Sequence, residues 1–152
     1  MMAYLSKARA VHHEADLLEQ DDRLSDAVDR LQALAEGPEP GGGTLPEVEE
    51  VMAETRARLA ELRGRLGRFD AAAQDVEQGL RHAPADSYFE GHLEEVRGLN
   101  EERRAKVLAE RGDVSGAKSA RQAAMRAFDR AVEIQDRVVT RALATDGGAD
   151  SR

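Results

Sequence analysis

The groups in this 152-residue chain that could do chemistry are four histidines, one Ser-x-x-Lys tetrad, a triple glycine and several adjacent carboxylates. His12 and Asp16 are four residues apart, which on a helix puts both on one face, as two metal ligands would be. A metal site needs three or four donors, and no third lies in view, so the pair reads as ordinary surface side chains. His13 points elsewhere, being the immediate neighbour of His12. His82 falls in the last turn of an expected helix, where the dipole favours its cationic form. His92 falls on an apolar face and reads as a half-buried, hydrogen-bonded side chain.

Ser115-Gly116-Ala117-Lys118 matches the S-x-x-K pattern of some acyl-enzymes, but S-D-N and K-T-G are absent, so the tetrad reads as a helix start. Gly41-Gly42-Gly43 has no strand before it and no Lys-Ser/Thr after it, which excludes a phosphate loop. Glu49-Glu50 and Glu94-Glu95 sit on charged faces with no apolar pocket to raise a pKa, so acid–base catalysis has no support. Arg103-Arg104 lacks interleaved aromatics in a chain of net charge -8, which argues against nucleic acid. The expectation is a non-enzymatic protein with no catalytic residue, no cofactor and no metal.

The elements that carry these residues read as helices throughout. Aromatics are few, with two Tyr, three Phe and no Trp, and much of the hydrophobic content is Ala. Small residues of that kind suit closely packed helices better than a sheet sandwich, so the expected class is all-α. No Cys is present, which removes disulfides and Cys-ligated zinc. No apolar run approaches the ~20 residues that span a bilayer. Lys7 and Arg9 interrupt the first apolar stretch, so no signal peptide is legible. The cytoplasm is the default compartment, with the periplasm or export as the alternative if an upstream signal was removed. Abundant Arg and Ala beside three Lys suggest a high-GC bacterial source.

The expected domain covers residues 1–144, with helical hairpins at about 4–36, 44–83 and 86–144. Leu5, Ala8, Val11, Ala15 and Leu18 make the apolar stripe of the first helix. Residues 37–43 are a Pro/Gly loop, and Thr44 with Glu47 forms a capping box for the third helix. Ser87 with Glu90 offers a second box for the fifth. The sixth helix has no stop signal before Ala144, and Ala117, Ala124, Phe128, Val132, Gln135, Val138 and Ala142 mark its expected inner side. Its later part outruns its partner and is expected to fold over the array as a cap. Residues 145–152 are an expected disordered tail.

The charge is uneven: residues 1–50 hold 12 acidic and 4 basic residues, and the remainder is neutral. The stretch Leu66-Gly67-Arg68-Phe69-Asp70-Ala71-Ala72, running on to Pro84, recurs. Leu24 to Ala27 lies 45 residues before Phe69 to Ala72, Val114 to Ala117 lies 45 residues after, and Gly67 repeats as Gly112. A fixed period of this size signals stacked hairpins.

The middle copy resembles the tetratricopeptide repeat. Leu59 and Ala60 match the large-then-small pair of the first helix. Gly67 matches the turn glycine, Phe69 the turn aromatic, and Ala72, Val76, Gly79 and Pro84 the pattern of the second helix. The period exceeds the family's usual ~34 residues, Arg56 stands where a bulky aromatic is expected, and Arg121 replaces a large apolar residue. The resemblance implies a short right-handed solenoid whose first helices line a groove for a peptide or helix of a partner protein. Counted from the aligned Ala residues, the groove carries Arg9, His12, Asp16, Glu54, Ala57, Glu61, Leu99, Glu102 and Lys106. These acidic and mixed residues disfavour the chaperone-binding role, in which Lys and Asn clamp a carboxylate, and favour a mixed or basic ligand. The implied function is a scaffold or adaptor acting as a monomer. The alternative is a self-assembling structural protein that dimerises through its long last helix.

Overall fold

The computed structural model describes residues 1–41 and 45–148. Among the described residues the chain forms six helices and no strand: α1 (Met2–Gln20), α2 (Leu24–Ala35), α3 (Pro46–Arg65), α4 (Phe69–His82), α5 (Tyr88–Glu110) and α6 (Val114–Gly147). The all-α expectation holds.

The 45-residue period appears in the backbone itself. The first helices of the three hairpins end at Gln20, Arg65 and Glu110, and the second helices begin at Leu24, Phe69 and Val114. Between them Asp22, Gly67 and Gly112 take left-handed φ angles of 57°, 76° and 80°. Each turn closes with the same long hydrogen bond: Arg23 N–H donates to Leu18 O (2.8 Å), Arg68 N–H to Arg63 O (2.8 Å) and Asp113 N–H to Leu108 O (2.9 Å). This closure satisfies carbonyls left free at a helix end. Gly enters the left-handed region at little cost, and Asp is one of the few other residues that tolerates it.

Helix boundaries differ from expectation by small steps. α2, α4 and α6 begin at Leu24, Phe69 and Val114, each one residue before the expected starts at Ser25, Asp70 and Ser115, and α1 begins two residues before the expected Tyr4. α6 continues past Ala144 to Gly147, so the start of the expected tail is helical. Residues 149–152, residues 42–43 of the Pro/Gly loop and the expected Thr44 cap lie outside the described residues. Pro46 opens α3, where its missing N–H costs nothing. The second capping box forms one residue out of register. Ser87 Oγ accepts from Glu90 N–H (3.2 Å), while Glu90 Oε2 accepts from the N–H of Asp86 rather than Ser87 (3.1 Å).

Each helix packs against the next in sequence, and α1 also touches α3 as α3 touches α5. Among the described residues no packing contact joins helices more than two apart. Ala8, Ala53 and Gly98 are buried at the 45-residue spacing, as are Ala15, Ala60 and Ala105, and Ala27, Ala72 and Ala117. One core cluster joins α1, α2 and α3 through Ala15, Val28, Leu31, Leu59 and Leu62. A second joins α3, α4 and α5 through Ala53, Ala57, Ala60, Val76, Leu93 and Val96. Serving both clusters, α3 is buried on most of its circumference.

The α5–α6 pair corrects the expected inner face of the last helix. The buried α6 residues are Ala117, Ala120, Ala124, Ala127, Ala131 and Ile134, alternating by three and four. They meet an α5 face on which Gly91, Gly98 and Ala105 recur every seven residues and are buried. The helices are so close that a Cβ on Gly98 would come within 2.6 Å of the Phe128 ring. Small side chains therefore hold the seam. Phe128 and Val138 are half-buried at its edge, whereas Val132, Gln135 and Ala142 are exposed. The expected cap is absent as well: α6 runs on without a break, and every residue from Val139 to Gly148 is exposed.

Candidate partner-binding groove

The first helices of all three hairpins line one groove of about 390 Å³. α1 supplies Leu5, Ala8, Arg9 and His12, α3 supplies Glu47, Glu50, Val51 and Glu54, and α5 supplies Phe89. Leu5, Ala8, Val51 and Phe89 give it an apolar floor. Glu47, Glu50 and Glu54 follow the three- and four-residue steps that keep them on one face of α3, so one wall is acidic.

His12 closes the groove without being available for chemistry. Its Nε2 lies 2.9 Å from Thr55 Oγ1, and that hydroxyl donates to Val51 O at 2.7 Å. The hydroxyl proton is thus committed, so Nε2–H is the donor and Nδ1 carries the lone pair. Nδ1 faces Arg58 Nη1 at 3.5 Å. Burial first, and then the Arg58 charge, push the His12 pKa down to about 4, with Asp16 acting weakly the other way. His12 is a neutral structural link.

Arg58 explains Asp16. Its guanidinium reaches Asp16 Oδ1 (2.7 Å), Glu19 Oε2 (3.2 Å) and the His12 carbonyl (3.2 Å), fastening α1 to α3. His12 and Asp16, considered above as a metal pair, both turn to this arginine. Among the described residues no group of three or more His, Asp or Glu is placed to hold a metal.

Of the residues counted toward the groove from the aligned alanines, Arg9, His12 and Glu54 come together. Asp16, Glu61, Leu99 and Glu102 are not in its lining. Lys106 lines a separate depression near the hairpin turns, with Leu24, Gly64, Gly67 and Phe69. Ala57 is buried in the core between α3 and α5. The cause is the closeness of those two helices. Asn100 Nδ2 donates to Ala60 O at 2.9 Å, and a Cβ on Gly64 would lie 1.8 Å from Asn100 Oδ1. Positions that would face a groove in a looser array are used up in this contact. Leu5, Ala8, Glu47, Glu50, Val51 and Phe89 line the groove without having been counted toward it. The run Glu47, Glu50, Glu54 and the rare aromatic Phe89 were the available signals.

The remaining singled-out residues have structural partners. His82 Nδ1 lies 3.0 Å from Glu49 Oε2, tying the end of α4 to the start of α3. His92 stacks on Tyr88 with ring centroids 5.7 Å apart. Buried Glu94 meets Arg97 (3.1 Å) and Arg130 (3.3 Å). Ser115 and Lys118 are exposed in the first turns of α6, which Asp113 caps by accepting from Gly116 N–H at 2.8 Å.

Among the described residues no helix is long and apolar enough to cross a membrane. No protein-family model, curated protein or solved structure matches this chain.

Proposed function

We propose that this protein is a non-enzymatic interaction module, a scaffold or adaptor whose three hairpins stack as a short tetratricopeptide-like right-handed solenoid. The observation that carries this reading is the groove to which α1, α3 and α5 each contribute, with its apolar floor and acidic wall. The repeated turn at Asp22, Gly67 and Gly112 and the restriction of packing to near neighbours in sequence support the stacked arrangement. A fold likeness does not define a site, so the ligand is argued from the lining. Leu5, Ala8, Val51 and Phe89 favour burial of apolar side chains at roughly 25 cal/mol per Å². Glu47, Glu50 and Glu54 select and orient a cationic segment. The proposed partner is a protein segment that alternates Leu-like and Lys- or Arg-like residues.

A fluorescent amphipathic Leu/Lys peptide tests this by anisotropy. Binding is expected to weaken at least tenfold in Glu50→Lys/Glu54→Lys and to persist in Glu102→Lys, which lies outside the groove. Equal binding by both variants, or no preference for the basic peptide over a Leu/Glu peptide, would refute the proposal. Affinity capture with the same pair of variants then identifies the natural partner.

A further inference from the structure

Large apolar side chains on α6 point away from the rest of the molecule. Val114, Met125, Val132, Val139 and Leu143 are 55 to 74% exposed. At 3.6 residues per turn they fall within about 40° of one another, forming one stripe along the helix. This stripe lies apart from the alanine seam that packs on α5. Lys118, Arg121 and Asp136 lie in the same band by that periodicity. The ion pairs that α6 makes within the chain use Arg130, Arg137 and Arg141. Among the described residues Arg121 and Asp136 enter none.

The order of residues along the stripe is self-complementary when reversed. Setting α6 antiparallel to a second α6 about the midpoint of Phe128 and Asp129 puts Met125 opposite Val132, Val114 opposite Leu143 and Arg121 opposite Asp136. Two-fold symmetry makes each pairing occur twice. Lys118 falls opposite Val139, where its aliphatic stem covers the valine and its ammonium reaches water. A parallel pair in register would instead oppose Arg121 to Arg121 and Asp136 to Asp136. We infer that the outward face of α6 docks on α6 of a second copy of this chain, antiparallel and two-fold symmetric, with Arg121 paired to Asp136 across the interface. Such an isologous contact closes on itself and gives a dimer rather than a filament. It leaves the groove between α1, α3 and α5 free, so it stands or falls separately from the proposed ligand.

Sedimentation equilibrium of the full chain, with charge-swap variants, tests this. The native chain is expected to dimerise. Arg121→Asp and Asp136→Arg are each expected to raise the dimer dissociation constant about tenfold, as lost charge complementarity does. The double exchange is expected to restore it. These side chains are exposed, so circular dichroism should show every variant fully helical. The chain has no cysteine, so orientation is read directly. A mixture of Met125→Cys and Val132→Cys copies is expected to cross-link as a heterodimer faster than either alone. A monomer at all accessible concentrations would overturn the inference and leave the stripe to another partner. So would a dimer indifferent to the swaps, or faster cross-linking of Met125→Cys with itself.

Discussion

Arg56 on α3 places Nη1 2.9 Å from Asp75 Oδ1 on α4, and both side chains are buried. Arg63 takes the second carboxylate oxygen and extends to Gln32 Oε1 at 2.7 Å, so the network links α2, α3 and α4. Arg56 Nε is buried without a partner, which makes the site costly to leave half-paired. Asp75→Ala is therefore expected to lose about 3–5 kcal/mol of unfolding free energy in urea titrations. Arg56→Met/Arg63→Met/Asp75→Leu, which removes both arginines with their shared carboxylate, is expected to lose far less, because a buried ionic network is worth little against an apolar replacement of similar volume. Equal losses in the two variants would contradict this account.

Gly98→Ala opposes helix propensity to packing. Propensity alone predicts a gain of up to ~1 kcal/mol. The Phe128 ring, 2.6 Å from the added carbon, predicts an overpacking cost of about 1–3 kcal/mol. A net loss is expected, and Phe128→Leu in the same chain should recover part of it. A melting temperature raised by Gly98→Ala alone would show that the α5–α6 spacing is looser than described.

The left-handed turns predict opposite signs at equivalent positions. Gly67→Ala should cost about 1 kcal/mol, since Ala resists a φ of 76°. Asp22→Gly should be neutral or stabilising by a few tenths of a kcal/mol, the backbone there already having a φ of 57°. Thermal unfolding of the two variants checks both signs.

His12 predicts a pH dependence. Its folded pKa of about 4 lies below the unfolded value near 6.5, so the unfolded chain binds more protons between those values. Its contribution is fully present above about pH 6.5 and is lost as the pH falls toward about 4. His12→Gln can still donate to Thr55 and should flatten the stability slope within that window while leaving the slope above it unchanged. An identical slope in the variant would place the titration elsewhere.

The turn glycines, the 45-residue period and the apolar stripes of the early helices were legible because each follows a strong local rule. Asp22 was not, because a left-handed Asp carries no composition signal comparable to Gly. Arg56 looked like a defect in an apolar pattern, since its partner Asp75 lies 19 residues away and only the fold brings them together. The inner face of α6 departs from the hydropathy pattern for a physical reason. Hydropathy ranks Val132 and Phe128 above Ala120 and Ala127, yet a seam as close as the one at Gly98 admits only the small residues. The groove was found in part. Counting from the alanines reached Arg9, His12 and Glu54, but the position of Phe89 depends on how α5 sits across the array.

The restriction of helix packing to neighbours one or two apart bears on how the protein is made. When α4 leaves the ribosome, α3 is already outside, and the one other helix that α4 contacts, α5, is the next to emerge. No helix waits for a distant segment before burying its apolar face, and little loop-closure entropy opposes any single step. The chain can therefore fold from its first hairpin onward as it is synthesised, in the vectorial manner of domains built from local contacts. α6 docks last and on α5 alone, so a nascent chain stalled before Val114 would expose Gly91, Gly98 and Ala105, a narrow small-residue face that offers chaperones little to hold.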